Sequence, residues 1–240
     1  MPPCFAILFG MLLLSIMISS SLAFVHTADA STDSDFFEDL EESEEEEEDF
    51  EEQDFEEENS IQICCAWGNS LEDGRLTYYI DDDDDTSEEQ QQEVRNAVQE
   101  WDTKIEPLEL EEESSKKASD ITIEFEDDND QEEIAGQTIT IANAYGFLVN
   151  AQITIYTEVQ EYEFDTTTIG QVAKHEMGHA LGLGHANFDG NLMAEMVNYG
   201  TATVSECEIN AVIEANYWKL GDNGDDNVDS DSPRYGSVTC

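Results

Sequence analysis

Strand-like and helix-like periods divide the middle of the chain. "RLTYYID" (75–81) has the β-branched and aromatic composition of a strand, and "DITIEFED" (120–127), "QTITIAN" (137–143) and "AQITIYTE" (151–158) alternate apolar and polar residues with a period of two. Four strands are expected from them. Elsewhere the period is three to four. Val94, Ala97, Val98, Trp101 and Ile105 follow a Thr86-x-x-Glu89 capping signal and stop before Pro107. Asp165 and the threonines 166–168 cap a second helix, whose stripe of Ile169, Val172, Ala173, Met177 and Ala180 is expected to face the sheet. A last helix opens at Ser205-x-x-Glu208 and runs through Ile209, Val212 and Ile213 towards Tyr217. The mixture predicts one α+β domain over residues 61–220, long enough to bury a real core.

The flanks lack such periods. Residues 5–18 ("FAILFGMLLLSIMI") form an apolar run shorter than a membrane span, followed by small polar residues, with Ala28 and Ala30 as a small-x-small cleavage site and Ala23 as an earlier alternative. This reads as a signal peptide over residues 1–30 and places the mature chain outside the cytoplasm. No Lys or Arg precedes Arg75, so the usual basic start is missing and an uncleaved anchor is the alternative. Residues 31–60 form an acidic low-complexity segment, a propeptide or linker, and residues 221–240 a flexible acidic tail, tied down only if Cys240 is bridged.

Charge changes the picture further. The 240 residues carry 59 acidic and 8 basic side chains, a formal net charge of −51. Residues 33–58 hold 18 of the acids, yet residues 59–240 still set 40 acids against all 8 bases, a net of −32. Self-repulsion of that size is relieved where salt shortens the Debye length, so adaptation to concentrated salt is expected. Nucleic acid and anionic lipid are excluded as partners, because both need clustered Lys and Arg. A membrane association would run only through an uncleaved signal anchor, and a monomer is expected.

Cys64, Cys65, Cys207 and Cys240 remain once Cys4 leaves with the signal peptide. Two disulfides can form among them in three pairings, and the adjacent Cys64 and Cys65 would reach two different partners more easily than each other.

The chemistry concentrates in "HEMGHALGLGH" (175–185), which holds three of the four histidines. His175 and His179 stand one helical turn apart on the same face, and Gly182 allows a left-handed turn that swings His185 back as a third nitrogen ligand. Three neutral imidazoles suit Zn²⁺ and leave a fourth tetrahedral position for water, as in catalytic sites. Glu176 points about a quarter turn away from the ligands, where it can act as general base on that water during attack on a peptide carbonyl.

These residues complete H-E-x-x-H-x-x-G-x-x-H, and the chain thereby resembles the metzincins, most closely their matrixin-like members, over about residues 70–218. Met193 in "NLMAEM" looks like the clan's Met-turn, with Met196 as the alternative. The resemblance implies a zincin-like fold, a mixed twisted sheet packed against helices, and a secreted zinc endopeptidase acting on protein or peptide substrates. It also implies that structural Ca²⁺ can accompany the zinc, and that "AQITIYTE" is the edge strand above the cleft, an interior strand being the alternative. The cysteine-switch motif of matrixins has no match. The rival reading from another class is a non-catalytic, acidic, cation-binding secreted protein on a zincin scaffold. An exopeptidase is a further rival.

Overall fold

The computed structural model describes residues 58–81, 86–127, 134–159, 162–196, 202–221 and 233–240. The expected signal peptide, almost all of the acidic segment and residues 222–232 of the expected tail lie outside them. In chain order the elements are β1 (Ser60–Ile63), β2 (Ala66–Trp67), a 3-10 turn (Asn69–Leu71), β3 (Arg75–Ile80), α1 (Glu88–Lys104), β4 (Glu109–Glu112), β5 (Ile121–Glu126), β6 (Gly136–Ala142) and β7 (Phe147–Tyr156). The two-residue strands β8 (Glu158–Val159) and β9 (Tyr162–Glu163) follow, then α2 (Thr166–Ala180), β10 (Leu183–Ala186), α3 (Glu206–Ala215), α4 (Tyr217–Leu220) and β11 (Gly236–Thr239). No helix among the described residues is long and apolar enough to cross a membrane.

Strands β4, β3, β5 and β7 run parallel in that order, β2 adds two residues parallel to the start of β7, and β6 lies antiparallel to β7. This mixed sheet packed against helices is the zincin-like α+β fold that the resemblance implies. One expectation is corrected. "AQITIYTE" belongs to β7, which pairs with β5 on one side and with β6 on the other, so it is an interior strand. The edge on that side is β6, which pairs only with β7 among the described residues, as β4 at the opposite edge pairs only with β3.

The inner face of the sheet buries Leu76, Ile80, Ile121, Ile123, Ile153 and Ile155 against the apolar stripes of α1 (Val94, Ala97, Val98, Trp101) and α2 (Ile169, Val172, Ala173, Met177, Ala180). Each large aliphatic side chain so buried contributes about 1.5–3 kcal/mol relative to exposure. The two helices pack together, and Trp101 Nε1 donates to the carbonyl of Lys174 at 3.0 Å, a cross-brace on α2 one residue before His175. Helix starts follow the local chemistry. Ser87 and Gln90 form a reciprocal capping box on α1, one residue later than the sequence signal, and Ser205 and Glu208 form another on α3. Asp165 caps α2 by accepting from the amide of Thr168.

A second sheet lies beside the end of α2. β10 pairs antiparallel with β1, and β1 pairs antiparallel with β11. The disulfides are Cys64–Cys65, in the turn between β1 and β2, and Cys207–Cys240, which ties the end of β11 to the first turn of α3. The adjacent cysteines bond to each other and do not reach separate partners. Cys240, whose bridging was the condition for ordering the tail, is bridged.

Candidate metal centre

Helix α2 ends at Ala180 because Gly182 follows with φ of 106°, a backbone state that side chains disfavour. A Cβ at Gly182 would also lie 2.4 Å from the carbonyl oxygen of Cys65. The reversal exposes three carbonyls at the helix end, and each finds a donor from a distant segment. Trp67 Nε1 donates to Ala180 O at 2.9 Å, Asn216 Nδ2 to Leu181 O at 3.0 Å, and the Cys64 amide to Gly182 O at 3.0 Å. Asn216 also accepts from the Trp67 amide at 2.9 Å, so one buried side chain joins the N-terminal strap to the turn. The turn leads directly into β10, which carries His185.

There the three histidines meet. Their candidate ligand atoms all lie within 4.8 Å of one another. His175 and His179 are buried, with Nε2 atoms 3.0 Å apart, and His185 is partly buried. A carbonyl can only accept, so the 2.7 Å contact of His175 Nδ1 with Leu192 O and the 2.9 Å contact of His179 Nδ1 with Leu183 O assign the proton of each neutral ring to Nδ1. Both Nε2 atoms then present lone pairs to each other at 3.0 Å, a repulsive pairing that a shared cation reverses. Among the described residues, the buried Nε2 of His185 has no hydrogen-bond partner. This donor set fits zinc.

Burial also holds the rings in the neutral, ligand-competent form. It lowers the pKa of His175 to about 4 and that of His179 well below its ordinary value. His185 is lowered by burial too, against an opposing effect of the nearby Glu195 carboxylate. Glu176 is buried on α2, and burial pushes its carboxyl up to about 8 while a hydrogen bond from Thr138 pulls it down.

Met193 is fully buried, its carbonyl accepts from the Ala186 amide at 2.7 Å, and its sulfur sits where Gly178 has no side chain, 2.4 Å from the Cβ position that Gly178 lacks. Met196 is 69 % exposed.

Several supporting residues had no readable signal in the sequence. Leu183 and Leu192 act through backbone carbonyls, Trp67 through a contact 113 residues along the chain, Asn216 through contacts 35 and 149 residues away, and Thr138 through a strand whose inward face the alternation does not identify.

No curated protein matches the chain. The matrixin family model matches residues 66–215, from the start of β2 to the end of α3 and across all three converging histidines, so the chain belongs to the matrixin family of zinc metalloproteases.

Proposed function

We propose that the protein is a secreted zinc endopeptidase in which His175, His179 and His185 hold the metal and Glu176 is the general base. The observation that carries this reading is the convergence of three imidazoles, two of them with Nε2 lone pairs facing each other at 3.0 Å. Bound there, zinc supplies a Lewis acid that polarises a carbonyl and lowers the pKa of a water to about 7. The field of a cation also opposes the burial that lifts the Glu176 carboxyl, favouring the carboxylate that a base requires. Glu176 then receives a proton from the attacking water and delivers it to the leaving amine, so the residue ends the cycle as it began. The Nδ1–H bonds to Leu192 O and Leu183 O orient the rings of His175 and His179, and Met193 packs as the Met-turn beneath them.

Strand β6 supplies the free edge on which an extended peptide can pair, giving affinity with little demand on sequence. Such pairing along the chain favours internal bonds over chain ends. Residues 1–30 direct secretion, residues 31–60 form the acidic segment, and the catalytic domain occupies residues 61–220, with the end of the following tail returning to it as β11 beside β1 and through Cys207–Cys240.

The test is hydrolysis of an unfolded protein substrate in molar salt with zinc present, comparing the full chain with Glu176→Ala. Cleavage by the first and near-silence from a folded, zinc-loaded second are expected. Equal activity would remove Glu176 from its role, and silence from both would favour a non-catalytic protein.

A further inference from the structure

Strand β6 turns its polar side inward. Register sets Thr138 beside Ile153 and Gly136 beside Ile155. Those isoleucines are buried in the core, so Gly136 and Thr138 share the helix-facing side of the sheet. In the same rows, β5 and β3 place Ile123, Phe125 and Ile80. Ile139 and Ile141 of β6 face the other way, and Ile141 is 46 % exposed. Core burial alone selects the opposite arrangement, because a hydroxyl in such a row costs desolvation unless it is bonded.

The hydroxyl is bonded, and its partner is Glu176. Thr138 is 1 % exposed, and its Oγ1 lies 2.7 Å from Glu176 Oε2 and 3.1 Å from the Glu176 carbonyl oxygen. One hydroxyl proton serves one strong bond, and the shorter contact to the carboxylate takes it. The bond engages Glu176 Oε2 and so distinguishes it from Oε1. Gly136 completes the arrangement by close approach. A Cβ there would come within 2.9 Å of both Cγ and Oε1 of Glu176 and within 2.6 Å of Val172 Cγ1.

We propose that Thr138 is a positioning residue for the hydrolytic reaction: its hydroxyl holds Glu176 Oε2, fixes the rotation of the carboxylate, and leaves Oε1 as the oxygen that exchanges the proton. The inference rests on Glu176 acting as the base. Without Thr138 the carboxylate is a two-fold rotor with two equivalent oxygens, and the productive orientation must be found in every turnover. With it, Oε1 takes a proton from the attacking water and returns it to the leaving amine, while Thr138 keeps its own proton throughout.

The experiment uses the zinc-loaded full chain and a fluorogenic peptide that it cleaves, with Thr138→Ser, Thr138→Ala and Thr138→Val beside Glu176→Ala. The Ala and Val variants are expected to lose about 10- to 100-fold in kcat, with KM and zinc content unchanged. The Ser variant, which keeps the hydroxyl, is expected to stay near the parent. Comparing Ser with Ala isolates the hydroxyl even if the Val variant does not fold. With Glu176→Ala silent, an Ala variant as active as Ser, or a loss confined to KM, would overturn the proposal. Full activity in Glu176→Ala would instead overturn the reading of Glu176 itself, and the role of Thr138 with it.

Discussion

Replacing Asn216 by alanine should damage both the fold and the metal centre, and its cost can be worked from the hydrogen bonds it breaks. Asn216 is 1 % exposed, accepts from the Trp67 amide, and donates to the carbonyls of Leu181 and Val212. The Val212 carbonyl keeps a second donor, the backbone amide of residue 216 at 3.0 Å. The Trp67 N–H and the Leu181 C=O lose their Asn216 partners. Each buried group left unsatisfied costs about 1–3 kcal/mol, so the substitution should cost about 2–6 kcal/mol, a large share of the roughly 5–15 kcal/mol that holds a typical domain together. Because Leu181 lies in the turn that leads to His185, the stabilisation gained on adding zinc should shrink as well. Asn216→Asp keeps the acceptor for Trp67 but sets a carboxylate against two carbonyls, and should rescue little. Urea denaturation of each variant, with zinc and with a chelator, measures both quantities. A loss below about 1 kcal/mol would refute the accounting of orphaned groups. An unchanged zinc increment would refute the coupling of this turn to the histidines.

Gly178→Ala should gain up to about 1 kcal/mol of helix propensity but lose about 1–3 kcal/mol to overpacking, since its Cβ would lie 2.4 Å from Met193 Sδ and 3.2 Å from Trp101 Cζ2. Thermal denaturation should show net destabilisation, and the double variant with Met193→Ala should lose less than the sum of the two singles; strict additivity would contradict the contact. The metal-free chain should be most stable near pH 6.5. Three histidines with folded pKa values below the ordinary 6.5 make stability fall as pH drops from 6.5, because the unfolded chain binds protons that the folded rings refuse. Glu176 has the opposite sign: raised from 4.5 to about 8, it makes stability fall as pH rises towards 8. From pH 6.5 to 8 that loss is about 2 kcal/mol, and Glu176→Gln should abolish it. Stability that rises across this window in the metal-free protein would contradict the prediction.

The helices were legible because each carries its signal locally. The stripe from Ile169 to Ala180 and the acceptor at Asp165 place α2 without reference to any other segment, and the spacing of His175, His179, Gly182 and His185 already implies a cluster. Strand relations were less legible, because a period of two carries no information on neighbours. β7 and β6 read alike in sequence, yet β7 is interior and β6 is the edge, and the phase that turns Thr138 inward is set by Ile153 across the sheet. β10, with the sequence LGHA, has no alternation at all and exists because β1 lies alongside it. The cysteine pairing escaped for a geometric reason. Neighbouring Cα atoms are 3.8 Å apart, shorter than the usual separation across a disulfide, so a general rule sent Cys64 and Cys65 to different partners.

The small sheet β10–β1–β11 bears on how the enzyme can be produced as a fragment. The family match spans residues 66–215 and therefore omits β1, β11 and Cys240. A recombinant piece trimmed to those limits would keep all three histidines in its sequence while stripping the strand that carries His185 of its neighbour β1 and leaving Cys207 as an unpaired thiol. Expression boundaries belong outside both outer strands, at or before Asn59 and after Cys240, where the Cys240 amide donates to the Asn59 carbonyl and brings the two ends of the fragment side by side.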